Sequence, residues 1–176
     1  MNPTASPTIY SGKFLALVRE GHWEYANGLG VTGAAVVVVV TDDQKLLLVE
    51  QYWIPVHARR IELPAGLVGD EPGGSAESLG EAGKRELLEE TGYAVEQIEI
   101  LCTGPSSSGL TSEVVTLLRA SGLKRLHGGS GVAHEKITVH EVPLPDVHEW
   151  LRARANEGLL IDPKVYAGLY FLERRH

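Results

Sequence analysis

The spacing of hydrophobic and polar positions changes period several times along the chain. Across residues 9–26 apolar and polar residues alternate in short runs, with Phe14, Leu15, Leu17 and Val18 followed by Trp23 and Tyr25. That pattern predicts two or three short strands ahead of the main domain. Gly28-Leu29-Gly30 breaks the segment, and residues 33–40 then form a β-branched, almost wholly apolar run, as in a strand buried on both faces. Asp42-Asp43 supply a turn, from which residues 45–52 are expected to return as a hairpin partner. Ser75 is expected to cap a helix over residues 76–91, with Leu79, Ala82 and either Leu87 or Leu88 facing the core, Gly80 and Gly83 weakening it, and Gly92 ending it. Residues 98–102, 114–118 and 137–142 read as strands. Residues 146–158 and 163–174 read as two closing helices, the first introduced by Pro143-x-Pro145. Strands, helix, strands and helices in that order predict an α/β or α+β sandwich.

Composition narrows the class. A chain of 176 residues with 43% apolar and 22% charged residues can bury the core of one ordinary domain. A net charge of −7 argues against nucleic acid as the partner. Cys102 is the single cysteine and cannot form an internal disulfide, residues 1–12 carry no apolar signal core, and the longest apolar run is far too short to span a bilayer. A cytoplasmic location without membrane contact is therefore expected.

Chemistry concentrates in Arg85-Glu86-Leu87-Leu88-Glu89-Glu90-Thr91-Gly92-Tyr93. On a helix Glu86 and Glu90 lie one turn apart with Glu89 beside them, and like charges at that spacing repel. A divalent cation relieves the repulsion, and carboxylate oxygens are hard ligands suited to Mg²⁺ or Mn²⁺. The bland alternative is a solvated acidic face. Arg59 and Arg60 precede a Gly-containing loop at Gly66, so they read either as phosphate clamps or as solvated surface charges. Residues 104–113 form a long Gly/Ser-rich loop of the kind that carries binding residues, and a second glycine-rich stretch begins at Gly128 and ends at His134-Glu135. Trp23 is a core or interface anchor, or a base-stacking residue.

Around that helix the chain resembles the Nudix hydrolases, whose signature runs Gly, five residues, Glu, seven residues, then Arg-Glu-apolar-x-Glu-Glu-x-Gly-apolar. Glu77, seven residues and Arg85 to Tyr93 match without a gap, whereas ten residues rather than five separate Gly66 from Glu77. The turn from Gly69 to Ser75 thus reads as a five-residue insertion, which a loop accommodates at small entropic cost. Within the family the chain is similar to the ADP-ribose and nucleoside-diphosphate-sugar pyrophosphatases, through Trp23-Glu24, Gln51-Tyr52, Glu62-Leu63-Pro64-Ala65-Gly66, residues 107–113, Glu135-x-Ile137 and Glu157-Gly158. Relatives that cleave ADP-ribose usually carry Ser-Pro-Gly where this chain has Ser107-Ser108-Gly109.

The resemblance implies an α/β/α sandwich with a mixed central sheet behind a short N-terminal β extension. Residues 1–26 would be the tail and dimerising extension of a homodimer, and residues 27–176 the Nudix domain. Two or more Mg²⁺ or Mn²⁺ ions would be held by Glu86, Glu89, Glu90 and the backbone carbonyl of Ala65, with Arg85 orienting the carboxylates. Glu135 is the expected base for the attacking water, His134 its competitor, and a metal-ligand role for Glu135 stays open. Substrate contacts are expected from Trp23, Arg59, Arg60, Glu62, Ser108, Gly109 and Glu113. The implied reaction is metal-dependent hydrolysis of a nucleoside diphosphate sugar, foremost ADP-ribose to AMP and ribose 5-phosphate. GDP-mannose, a dinucleoside polyphosphate or another nucleoside diphosphate compound are alternative substrates, and a non-catalytic ligand-sensing module is the alternative class.

Overall fold

The computed structural model describes residues 7–69, 77–128 and 136–174. The expected N-terminal extension is a three-stranded antiparallel meander of β1 (Thr8–Ser11), β2 (Leu15–Glu20) and β3 (Trp23–Gly28). Two four-stranded sheets follow, and the mixed character expected of the fold is divided between them. The first consists of β4 (Gly33–Val39), β7 (Ala65–Val68), β8 (Tyr93–Pro105) and β9 (Val114–Arg125), in the order β7-β4-β9-β8. In it β4 and β9 run parallel and the other pairs antiparallel. The second consists of β5 (Lys45–Trp53), β6 (Ala58–Glu62), β10 (Thr138–Pro143) and β11 (Leu160–Ile161), in the order β10-β5-β6-β11, with only β6 and β11 parallel. Among the described residues there are three α-helices: α1 (Leu79–Thr91), α2 (Val147–Asn156) and α3 (Pro163–Glu173).

Strand periodicity explains the layers. Val36 and Val38 of β4 point into a cluster with Leu46, Leu48, Leu151 and Leu169, which places α2 and α3 on that side. Ala35, Val37 and Val39 point the other way, where Ala82 and Leu87 of α1 meet Leu118 and Ala120 of β9. A strand with helices on both sides has no solvent-facing register, hence the unbroken valine run. Each fully buried aliphatic side chain contributes about 1.5–3 kcal/mol relative to leaving it in water.

The expected hairpin between β4 and β5 does not form. Val40 makes an isolated bridge to Leu46, and Gln44 adopts a left-handed φ of 61°, so the chain leaves one sheet and enters the other. β5 pairs instead with β6 and β10. Helix α1 also begins later than expected. Its N-cap is Ser78, not Ser75, which lies outside the described residues. β8 and β9 extend well beyond the short runs that periodicity identified, and the two-residue β11 carries too little pattern to be recognised.

The N-terminal meander is stitched to the loop after β8. Ala26 N–H donates to Leu110 O at 2.8 Å, Ser112 N–H to Ala26 O at 3.0 Å, and Ser112 Oγ to Asn27 Oδ1 at 2.6 Å. Among the described residues no helix is long and apolar enough to cross a membrane.

Candidate active site

α1 is defined at both ends by its own sequence. Glu81 N–H donates to Ser78 Oγ at 3.3 Å while Ser78 N–H donates to Glu81 Oε2 at 2.8 Å, a capping box. At the other end Gly92 takes a left-handed φ of 78° and its N–H bonds Leu88 O. Between the caps Ala82, Gly83 and Leu87 are buried against the sheet. The acidic positions follow one turn apart along an adjoining stripe, facing the turn that leads into β7.

Glu90 is only 4% exposed and accepts the Ala65 N–H at 3.1 Å. A Cβ added to Gly66 would lie 1.9 Å from the Glu86 carboxyl carbon, so the glycine is what admits that carboxylate. Glu86, Glu90, Ala65, Gly66 and Leu67 form one wall of a cleft of about 440 Å³ whose other wall is Gln51, Tyr52, Trp53, Ile54 and Pro55. Two carboxylates and backbone beside a glycine form an all-oxygen donor set that fits Mg²⁺ or Mn²⁺. Among the described residues no three His, Cys, Asp or Glu side chains already converge as a closed metal cage.

Arg85 lies beneath this wall as a hub. Its Nε bonds Glu77 Oε1 at 2.9 Å, one terminal nitrogen reaches Glu86 Oε1 at 2.7 Å and Glu89 Oε2 at 3.6 Å, and the other bonds Leu67 O at 3.2 Å. Glu77 also accepts the Gly69 N–H at 3.1 Å, which pins together the two ends of the insertion expected from the sequence. The Arg85 hydrogen bond holds the Glu77 carboxyl below its ordinary pKa; burial opposes it and the Gly69 N–H helps. Glu77 first, and Glu86 with it, hold Arg85 firmly protonated against the opposing effect of burial.

Glu86, Glu90 and Ala65 are thus brought together, with Arg85 and Glu89 at their edge. The two arginines expected as phosphate clamps do not line the cleft, because neighbouring carboxylates hold both. Arg59 bonds Glu50, and Arg60 is held between Glu62 and the buried Asp162, with its guanidinium carbon 4.2 Å from the centroid of the Trp53 ring. Glu62, 4% exposed, also accepts from Gln51 Nε2 at 3.1 Å and Trp53 Nε1 at 2.7 Å. Trp23 and Ser108 line a separate hollow of about 520 Å³, where His22 packs on Trp23 at 5.5 Å. Glu113 lines a larger hollow of about 750 Å³ that shares Leu67 with the cleft. Gly109 is exposed. Glu135 and His134 lie outside the described residues. Sequence reasoning missed Trp53, whose signal was its alternation with Leu47, Val49 and Gln51.

A NUDIX domain model matches residues 31–157, which include this cleft and its helix. The chain is 31% identical over 160 residues to the ADP-ribose pyrophosphatase of Bacillus subtilis (strain 168), covering 85% of this chain and 82% of that one. It is 30% identical over 144 residues to the methanol dehydrogenase activator of Bacillus methanolicus, covering 80% and 72% respectively. A crystal structure of an ADP compounds hydrolase shares the fold, with a TM-score of 0.67 at 20% identity over 95% of this chain and 89% of that one. The helix, the cleft and these likenesses define a hydrolase of the Nudix pyrophosphatase type. The chain belongs to the Nudix family and is ADP-ribose pyrophosphatase-like in sequence.

Proposed function

We propose that the protein hydrolyses the pyrophosphate bond of a nucleoside diphosphate sugar in a metal-dependent reaction, with ADP-ribose cleaved to AMP and ribose 5-phosphate as the leading substrate. The observation that carries this reading is the pair of carboxylates, Glu86 and Glu90, set with Ala65 and Gly66 along one wall of an open cleft. Two or more Mg²⁺ or Mn²⁺ ions held by Glu86, Glu90, Glu89 and the Ala65 carbonyl would neutralise the diphosphate and polarise the attacking water.

The remaining work falls to the chain. Arg85 orients Glu86 through its 2.7 Å contact and is itself oriented by Glu77. The Ala65 N–H holds one oxygen of Glu90 and so directs the other. Glu135 is assigned the proton of the attacking water, since box glutamates committed to metal are poor bases. The sugar-bearing half extends past Leu67 toward the hollow lined by Glu113. Two aromatic surfaces, Trp23 with Ser108 in one hollow and Trp53 in the cleft, compete for the base. We assign the protein a cytoplasmic homodimeric form, supported by the exposed Ile9, Tyr10, Phe14, Leu15 and Trp23 of the N-terminal meander.

The test is incubation of purified protein with Mg²⁺ and a panel of ADP-ribose, GDP-mannose, ADP-glucose, NADH and diadenosine polyphosphates. Release of AMP and ribose 5-phosphate from ADP-ribose is expected. Preference for another member reassigns the substrate. Tight binding of a panel member without turnover would favour a ligand-sensing role, a reading to which the similarity to an activator protein gives some support.

A further inference from the structure

Three charged side chains, Glu62, Arg60 and Asp162, are tied to the β5 wall of the cleft, and the chemistry at Glu86 and Glu90 gives them no task. Along β5 the odd-numbered residues share a face: Leu47 and Val49 are buried in the core, and Gln51 and Trp53 continue the same face beyond it into the cleft. On β6, Arg60 and Glu62 stand opposite Gln51 and Val49 and so belong to that face. Glu62 accepts from both cleft-lining side chains, Gln51 Nε2 at 3.1 Å and Trp53 Nε1 at 2.7 Å. Arg60 joins Glu62 through one terminal nitrogen and Asp162, at 3.2 Å, through the other, while its Nε has no partner among the described residues. Asp162, 3% exposed, caps α3: it accepts the Lys164 N–H at 2.8 Å, and its own N–H donates to Ile61 O at 2.9 Å. An unbroken series of polar contacts thus runs from the N-terminus of α3 to Gln51 and Trp53. The metal-facing wall is held separately, by the Ala65 N–H on Glu90 and the Val37 N–H on Pro64 O at 2.8 Å.

We propose that Asp162, Arg60 and Glu62 are positioning residues for the reaction: from the N-terminus of α3 they hold Gln51 and Trp53 at a fixed spacing from Glu86 and Glu90, and so set the affinity for substrate. This rests on the hydrolase reading above. Stability does not account for the series, because apolar residues of similar volume commonly serve a fold as well as a buried ion pair does. Hydrogen-bonded charges, by contrast, fix directions that apolar packing leaves free. The two walls bound one cleft of about 440 Å³, so a substrate engaged at the carboxylates also meets the β5 wall. Breaking the series loosens that wall alone. Substrate binding therefore weakens, while the metal-binding wall, with its own anchors, keeps its geometry.

The experiment compares wild type with Asp162→Asn, Glu62→Gln, the double variant and Lys164→Gln. Asparagine still caps a helix, so Asp162→Asn removes the charge that holds Arg60 and keeps the cap. Each single change in the series is expected to raise KM for ADP-ribose about threefold to tenfold, with kcat and the Mg²⁺ needed for half-maximal rate unchanged. The double variant should be no worse than the poorer single one, since both changes break the same series. Lys164 Nζ also bonds Asp162, at 2.7 Å, but lies off the series, so Lys164→Gln should leave KM unchanged. In protein free of metal and substrate, Asp162→Asn should increase quenching of tryptophan emission by acrylamide, and the increase should vanish when the same change is made in Trp53→Phe. If Asp162→Asn fails to fold, Arg60→Lys, which keeps a cation but cannot join both carboxylates through one planar group, is read in the same two ways. Lower urea midpoints with KM and quenching unchanged, additive rises of KM in the double variant, quenching that persists in Trp53→Phe, or an equal effect of Lys164→Gln would overturn the assignment. Wild type that turns over no panel member marks failure of the hydrolase reading; turnover with KM indifferent to Asp162 and Arg60 marks failure of this inference alone.

Discussion

At the residue scale the site depends on atoms that cannot be exchanged for near equivalents. Glu86→Gln and Glu90→Gln are each expected to lower kcat about a hundredfold or more while leaving the helix folded, because each removes a hard anionic ligand and also relieves repulsion on α1. Near-normal turnover of either variant at saturating Mg²⁺ would refute the metal assignment. Gly66→Ala should be as damaging as either, since its Cβ would lie 1.9 Å from the Glu86 carboxyl carbon, and the carboxylate would have to leave the cleft wall. Circular dichroism and kcat measured together separate displacement from unfolding. The Glu77 carboxyl, held below its ordinary pKa chiefly by Arg85, makes a pH-dependent contribution. Because the folded pKa lies below the unfolded value of about 4.3, that contribution is complete above the unfolded value and is lost as pH falls through the folded one. Melting temperature should therefore fall more steeply below about pH 4 in wild type than in Glu77→Gln.

At the scale of elements, two glycines in α1 that look alike in sequence are set apart by packing. A Cβ at Gly80 would meet Ile98 at an ordinary 3.9 Å, whereas one at Gly83 would come within 2.8 Å of Leu118 Cδ1 in the core. Gly80→Ala should raise stability by about 0.5–1 kcal/mol through helix propensity. Gly83→Ala gains the same propensity but overpacks the α1–β9 contact, at a typical cost of about 1–3 kcal/mol, so urea midpoints should move in opposite directions. Local pattern placed the helix, since caps and charge spacing are short-range signals. It misplaced the N-cap by three residues because Ser75 and Ser78 are both competent cap residues, and Glu81 at the third helical position favours Ser78. Periodicity likewise showed which residues of β5 share a face, but not that this face runs out of the core and becomes a cleft wall.

At the scale of the molecule, the N-terminal meander has few buried residues of its own, Ala16 and Val18 among them, and leans on the loop around Leu110 and Ser112. Deleting residues 1–26 should convert a dimer into monomers or aggregate, as read by light scattering. A soluble truncated protein of unchanged assembly size and substrate affinity would remove the dimerising role. The acidic helix, its glycine stop, the doubly buried valine strand and the layered order of elements were legible in the sequence alone, because each rests on spacing within a turn or a strand. Tertiary structure decided which strands pair: β4 joins β9 in parallel, across most of the domain, because helices on both its faces bury its backbone and its even and odd side chains alike. It also decided the fate of Arg59 and Arg60. Their charge suggested phosphate, but a guanidinium beside a buried or half-buried carboxylate is claimed by that carboxylate, and the identity of the neighbour is known only after the chain has folded. For the same reason Trp53, an unremarked residue at the end of a strand, becomes the aromatic wall of the cleft only when β5, β7 and α1 meet.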